Sequence, residues 1–143
     1  MLRHCPGLLL LLRLFQMHYM KFNIDTKEKF TVITPTLASL DDNVTVELEK
    51  ALTDCLARPP RNVIVNLSGV AEIAVSFIDS LVKLREHFYN NNASLVTCCP
   101  KKQVLVKIKQ MEAEDLLNLT LTESEAWDIV QMEEIERELD AAE

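Results

Sequence analysis

The sequence predicts an α/β protein: a mixed sheet of four to five strands that opens on a β-hairpin and is covered by about four helices. Three observations carry this expectation. Residues 21–25 place Phe22 and Ile24 at alternate positions, and residues 30–34 form a second short strand-like run. The polar turn Thr26-Lys27-Glu28-Lys29 between them makes the pair a hairpin. Beyond Pro35, amphipathic helical stretches alternate with short runs rich in apolar and β-branched residues, which is how mostly parallel sheets are built.

Taken in order, Asp41 or Asp42 caps a helix whose face carries Val44, Leu48, Leu52, Cys55 and Leu56, and Pro59-Pro60 ends it. Residues 63–67, Val-Ile-Val-Asn-Leu, read as a buried strand. Gly69, the one glycine outside the extreme N-terminus, marks the sharpest turn. Phe77, Leu81, Leu84 and Phe88 then recur at helical spacing, with Asp79, Lys83, Arg85 and Glu86 between them. Asn90-Asn91-Asn92 closes that helix, and residues 94–99 form another strand in which the neighbours Cys98 and Cys99 face opposite sides. A helix with Val104, Leu105, Ile108 and Met111 follows, then a short strand over 117–121. Thr122 and Glu125 make a capping box for a last helix, expected to turn Ala126, Ile129, Val130, Ile135 and Leu139 inward before an acidic end.

Hydrophobic content of 48% and charged content of 26% are those of a globular protein. A net charge of −7 argues against nonspecific nucleic-acid binding, which needs basic patches. The cysteines Cys5, Cys55, Cys98 and Cys99 form no CxxC pair and have no histidine at metal-ligand spacing, so they read as reduced thiols of a cytoplasmic protein with no metal. Residues 8–12 are an apolar run behind Arg3 and His4, interrupted by Arg13 and too short for a bilayer of about 20 residues. Residues 1–19 are read as an extension upstream of a chain start at Met20, with a signal or anchor and a docked N-terminal helix as the alternatives.

The candidate chemistry is thin. Ser76, Asp79 and His87 are the only neighbours that suggest a triad, and His87 lies about 16 Å from Ser76 along an ideal helix, beyond hydrogen-bonding reach. No glycine-rich phosphate loop exists, so no cofactor or nucleotide is expected, and no catalytic residue is assigned. Trp127 reads as a core residue beside an apolar stripe, with a partner anchor as the alternative.

Leu40-Asp41, a helix, and then Val63-Ile64-Val65-Asn66-Leu67-Ser68-Gly69-Val70 resemble the STAS domain of anti-sigma factor antagonists. The order of the elements from Lys21 to Val130 resembles it too, which implies a STAS-like (SpoIIAA-like) domain over 20–131 with an acidic helix end at 132–143. The resemblance implies a protein-binding module, not an enzyme. It would dock onto a histidine-kinase-like ATPase, an anti-sigma factor, to regulate sigma-factor-dependent transcription, without nucleic-acid contact or membrane insertion. A STAS-type accessory subunit of a lipid-transport ABC ATPase is the alternative. In such proteins an Asp-Ser-Ser-Gly turn carries the phosphoacceptor on its first serine. Here the aspartate position falls on Ala74, the acceptor on Val75, the second serine on Ser76, the glycine on Phe77, and a later small residue on Asp79.

The usual serine switch is therefore missing its hydroxyl. Either Ser76 takes the phosphate instead, or it caps the helix with Asp79 and the module binds by shape alone. Phe77 either packs inward or fills a partner's pocket. The expected partner-binding residues are Ser68, Gly69, Val70, Glu72, Ala74, Val75, Ser76, Phe77 and Asp79.

Overall fold

The computed structural model describes residues 21–142, so the readings of residues 1–19 lie outside the described residues. Strand β1 (Phe22–Thr26) turns back antiparallel onto β2 (Thr31–Pro35), pairing Phe22 with Pro35 and Thr26 with Thr31. This is the expected hairpin, closed by the Lys27 N–H donating to the Phe30 carbonyl at 2.8 Å. β4 (Val63–Asn66) lies parallel to β2, and β6 (Leu95–Cys98) parallel to β4, giving the order β1-β2-β4-β6.

A second ribbon was not legible beforehand. β3 (Ser39–Leu40) and β5 (Glu72–Ile73) pair in parallel, two residues each. The expected strand over 117–121 reduces to one parallel bridge from Cys98 to Thr120. There are five helices among the described residues: α1 (Asp42–Leu56), α2 (Val75–Asn90), α3 (Lys102–Gln110), the single turn α4 (Glu114–Leu117) and α5 (Glu123–Ala142).

Side-chain alternation along the strands divides the interior into two layers. Ile33, Val63, Val65 and Leu95 face α1 to α4, where they meet Leu48, Leu52, Phe77, Phe88, Ile108 and Leu117. Val32, Ile64, Val96 and Cys98 face the other way and are covered by Ala126 and Val130 of α5. Trp127 packs there as a core residue, its ring stacked on Phe30 with centroids 4.6 Å apart. Among the described residues, one helix thus covers one face and four cover the other.

The expected helix caps hold at both ends of the chain. Asp41 caps α1 by accepting the Val44 N–H at 3.0 Å, and Thr122 caps α5 by accepting the Glu125 N–H at 3.1 Å while its hydroxyl donates to the Glu125 carboxylate.

Two expectations are corrected. Ile135 and Leu139 point to solvent, 56% and 63% exposed. The inner face of this half of α5 is polar: Glu133 accepts from Asn118 at 3.0 Å, Glu134 accepts from Asn62 at 2.5 Å, and Arg137 donates to Ser94 at 3.1 Å. Those tethers fix the helix rotation and turn the apolar residues between them outward. Cys98 and Cys99 do not face opposite sides. The strand ends at Cys98, Cys99 takes a left-handed φ of 60°, and the two sulfurs lie 3.4 Å apart. The turn expected at Gly69 is present, closed by the Val70 N–H donating to the Leu67 carbonyl at 3.0 Å, and Gly69 makes it without a positive φ.

Candidate functional site: the turn between β4 and α2

The carboxyl ends of β2, β4 and β6 lie at one pole of the sheet, where α/β folds place their binding sites. The loop from β4 to α2 crosses this pole and is pinned along its length. The Leu67 N–H donates to the Cys98 carbonyl, and the Ser68 N–H to the Asn66 side chain at 2.9 Å. Ala71 and Glu72 both donate to the Ala38 carbonyl, at 2.7 and 3.0 Å, and the Ala74 N–H donates to Leu40 at 2.8 Å. The ribbon β3–β5 is therefore a clamp that fastens the loop to the segment leading into α1. A loop held this way needs little ordering when it is bound.

The expected site residues divide by burial. Ser68, Gly69, Glu72, Val75 and Asp79 are exposed, and Ala74 and Ser76 are half-buried. Val70 and Phe77 are fully buried, which corrects their place on a contact surface: both are spent on the core. Phe77 is the first rung of the α2 stripe, followed by Ile78, Leu81 and Phe88. Its ring fills space beneath the turn, while Val75, two residues earlier and 50% exposed, stands on the outside.

Ser76 is not the helix cap. The cap is Ala74, which makes no side-chain cap bond, and the expected Ser76–Asp79 capping pair does not form. The Ser76 hydroxyl instead donates to the carboxylate of Asp42, in the first turn of α1. One turn further along α2, Ser80 donates to Glu49 at 2.6 Å. These two bonds lock α2 to α1 directly behind the exposed turn. Sequence reasoning missed Asp42, which it weighed only as a cap, because the contact spans 34 residues. Nothing in the sequence points to it.

A cleft of about 560 Å³ opens beside the turn, lined by Ser39, Asp41, Glu72 and Ala74 on one side and Gln103 and Lys107 of α3 on the other. Lys107 donates to the Ile73 carbonyl at 2.5 Å, so its charge is anchored at the cleft floor. The α3 side was also absent from the expected site. Exposed carboxylates dominate the near side: Asp41, Asp42, Glu72 and Asp79. His87 stands exposed in the last turn of α2, with no place beside Ser76. Among the described residues no group of three or more His, Cys, Asp and Glu could hold a metal ion. No helix among them is long and apolar enough to cross a membrane.

Solved structures share this fold. A candidate anti-sigma factor antagonist from Thermotoga maritima superposes with a TM-score of 0.70 at 17% identity, over 81% of this chain and 98% of its own. An anti-sigma factor antagonist from Mycobacterium paratuberculosis gives 0.67 at 15% identity, over 77% of this chain and 92% of its own. The anti-sigma factor antagonist SpoIIAA in its unphosphorylated form gives 0.63 at 16% identity, over 77% of this chain and 96% of its own. At these identities the likeness establishes the fold. No curated protein sequence matches the chain. The family model of the STAS domain matches residues 21–126, from the first residue of the hairpin to the inner face of α5, and the chain belongs to that family.

Proposed function

We propose that this protein is a docking module of the anti-sigma factor antagonist type that engages a histidine-kinase-like ATPase without a serine phospho-switch. The contact surface is the turn at 68–76, with the exposed start of α2 and the flanking cleft. The observation that carries this reading is Val75. It presents an apolar side chain to solvent at the place where the resemblance puts the acceptor serine. A valine has no oxygen to phosphorylate.

Ser76 is a poor substitute acceptor. Its hydroxyl is committed to the Asp42 carboxylate, and a phosphate of about −1.5 to −2 charge would be forced against that group. Binding is therefore constitutive, governed by shape and by the carboxylates around Val75, and the partner's face is basic where it meets them. The action is that of a binding module and not a catalyst.

The test is binding to a purified histidine-kinase-like ATPase anti-sigma factor, with and without ATP, followed by mass spectrometry of this chain. The expected result is a complex whose affinity is the same in both conditions and a chain that carries no phosphate. Loss of the complex on adding ATP, with phosphate found on Ser76 or Ser80, would overturn the constitutive mechanism. Absence of any complex would overturn the docking reading itself, and binding to a lipid-transport ABC ATPase instead would replace it with the other STAS role.

A further inference from the structure

The end of β6 brings two thiols into contact. Cys98 is buried and closes the strand; Cys99 is half-buried and leaves it with a left-handed φ of 60°. That conformation is uncommon for any residue but glycine. On a continued strand the two side chains would point to opposite faces. With the bend, the Cys99 thiol donates to the Cys98 sulfur at 3.4 Å.

Backbone bonds hold the bend in place. The Thr120 N–H donates to the Thr97 carbonyl at 3.0 Å, and the Cys99 N–H donates to the Thr120 carbonyl at 3.1 Å. On the other side, the Leu67 N–H donates to the Cys98 carbonyl at 3.0 Å. Among the described cysteines, only these two can pair within one chain. Cys55 packs in the layer under α1 to α4, whereas Cys98 and Cys99 pack in the layer under α5, with the sheet between them.

We propose that Cys98 and Cys99 form a reversible oxidation site, closing a disulfide between adjacent residues with a peroxide as the oxidant. Cys99 has the solvent access and reacts first. Its sulfur attacks one peroxide oxygen, the O–O bond breaks, and water leaves, which makes Cys99 a sulfenic acid. The Cys98 sulfur then attacks the Cys99 sulfur. The S–S bond forms, the S–O bond breaks, and the Cys98 proton departs with the hydroxide as a second water. The two thiols lose two electrons and the peroxide gains them.

The bond is built to reopen. Adjacent Cα atoms stand about 3.8 Å apart across a trans peptide, below the roughly 4.4–6.8 Å that disulfides usually span. A disulfide closed over that distance is strained, and strained disulfides are the ones that thiols reduce easily. The site is independent of what binds the turn at 68–76.

The test treats the reduced full chain with hydrogen peroxide, alkylates the remaining thiols, and maps them by mass spectrometry. The peptide holding Cys98 and Cys99 is expected to lose two hydrogen atoms and take no alkyl group, while Cys55 is alkylated as before. Glutathione is expected to restore both thiols. Cys99→Ala should slow peroxide consumption roughly tenfold or more. Cys98→Ala should leave Cys99 as a sulfenic acid that a cyclic dione captures. Unchanged Trp127 fluorescence shows that each variant remains folded. Full alkylation of both thiols after peroxide would overturn the proposal. So would a bond from either one to Cys5, to Cys55 or to a second chain, a 98–99 bond that glutathione leaves closed, or an undiminished rate in Cys99→Ala.

Discussion

Gly69 sits in the turn where it was expected, but not because glycine alone can adopt its conformation. Its φ is not positive, so the backbone there is one that other residues adopt. A Cβ built there would meet the Pro35 carbonyl oxygen at 3.7 Å, an ordinary contact. Gly69→Ala is therefore expected to stabilise the fold, by about 0.4–1 kcal/mol, because it narrows the unfolded ensemble without straining the native one. Urea unfolding would show a higher midpoint at unchanged slope. The thiols make a second residue-level prediction. Burial pushes the Cys55 thiol up from 9.0 to about 11, and burial with the neighbouring Cys99 pushes Cys98 well above its ordinary value. In the unfolded chain these thiols ionise near their ordinary value, while the folded chain keeps their protons. The folded state then binds more protons, so stability is intact below about pH 9 and falls as pH rises towards about 11. Thermal unfolding across that range should show a steeper alkaline loss for the unaltered protein than for Cys55→Ala.

At the scale of single elements, α2 separates support from contact. Phe77 is 0% exposed and Val75 is 50% exposed, two residues apart on the same first turn. Phe77→Ala is expected to cost about 3–5 kcal/mol of stability, the range for emptying a buried aromatic site. Val75→Glu should change stability by no more than about 0.5 kcal/mol and weaken partner binding at least tenfold. Denaturant titration and calorimetric binding measure the two effects separately; a large stability loss for Val75→Glu would place that side chain in the core.

The same helix marks what was legible in advance. Its apolar stripe, the hairpin, β4 and β6 announced themselves through period, because each buries a regular subset of its residues. The β3–β5 clamp could not, since two residues on each side carry no periodicity. The Ser76–Asp42 bond could not either, because it joins two helices through residues far apart in sequence. α5 was half legible. Its apolar positions suggested one inner face, but the tethers from Asn62, Ser94 and Asn118 set its rotation. Polar partners on other elements decided which way Ile135 and Leu139 point.

For the molecule as a whole, the two layers differ in redundancy. Among the described residues, the layer under α1 to α4 is shared among four helices, whereas the opposite face of the sheet is covered by α5 alone. If α5 were a separable flap, it would leave before the rest unfolds. Its connections argue otherwise. Ala126 and Val130 are fully buried against Ile64 and Val96 of the central strands, and the helix is tied to β4 by Asn66–Glu123 at one end and by Asn62–Glu134 at the other. Uncovering Ile64 and Val96 would expose the middle of the sheet to water, so the sheet gains its stability from both layers together. Trp127 is the only tryptophan and sits on α5 stacked against Phe30 of the hairpin turn, so its fluorescence reports the docking of this helix alone. Far-UV circular dichroism reports every element. The two signals are expected to trace one denaturation curve, with the same midpoint and slope. In Val130→Ala both should shift together by the same amount, about 1–3 kcal/mol for a buried methyl pair. A fluorescence transition that precedes the circular dichroism change, in either protein, would show that α5 unfolds as a unit of its own.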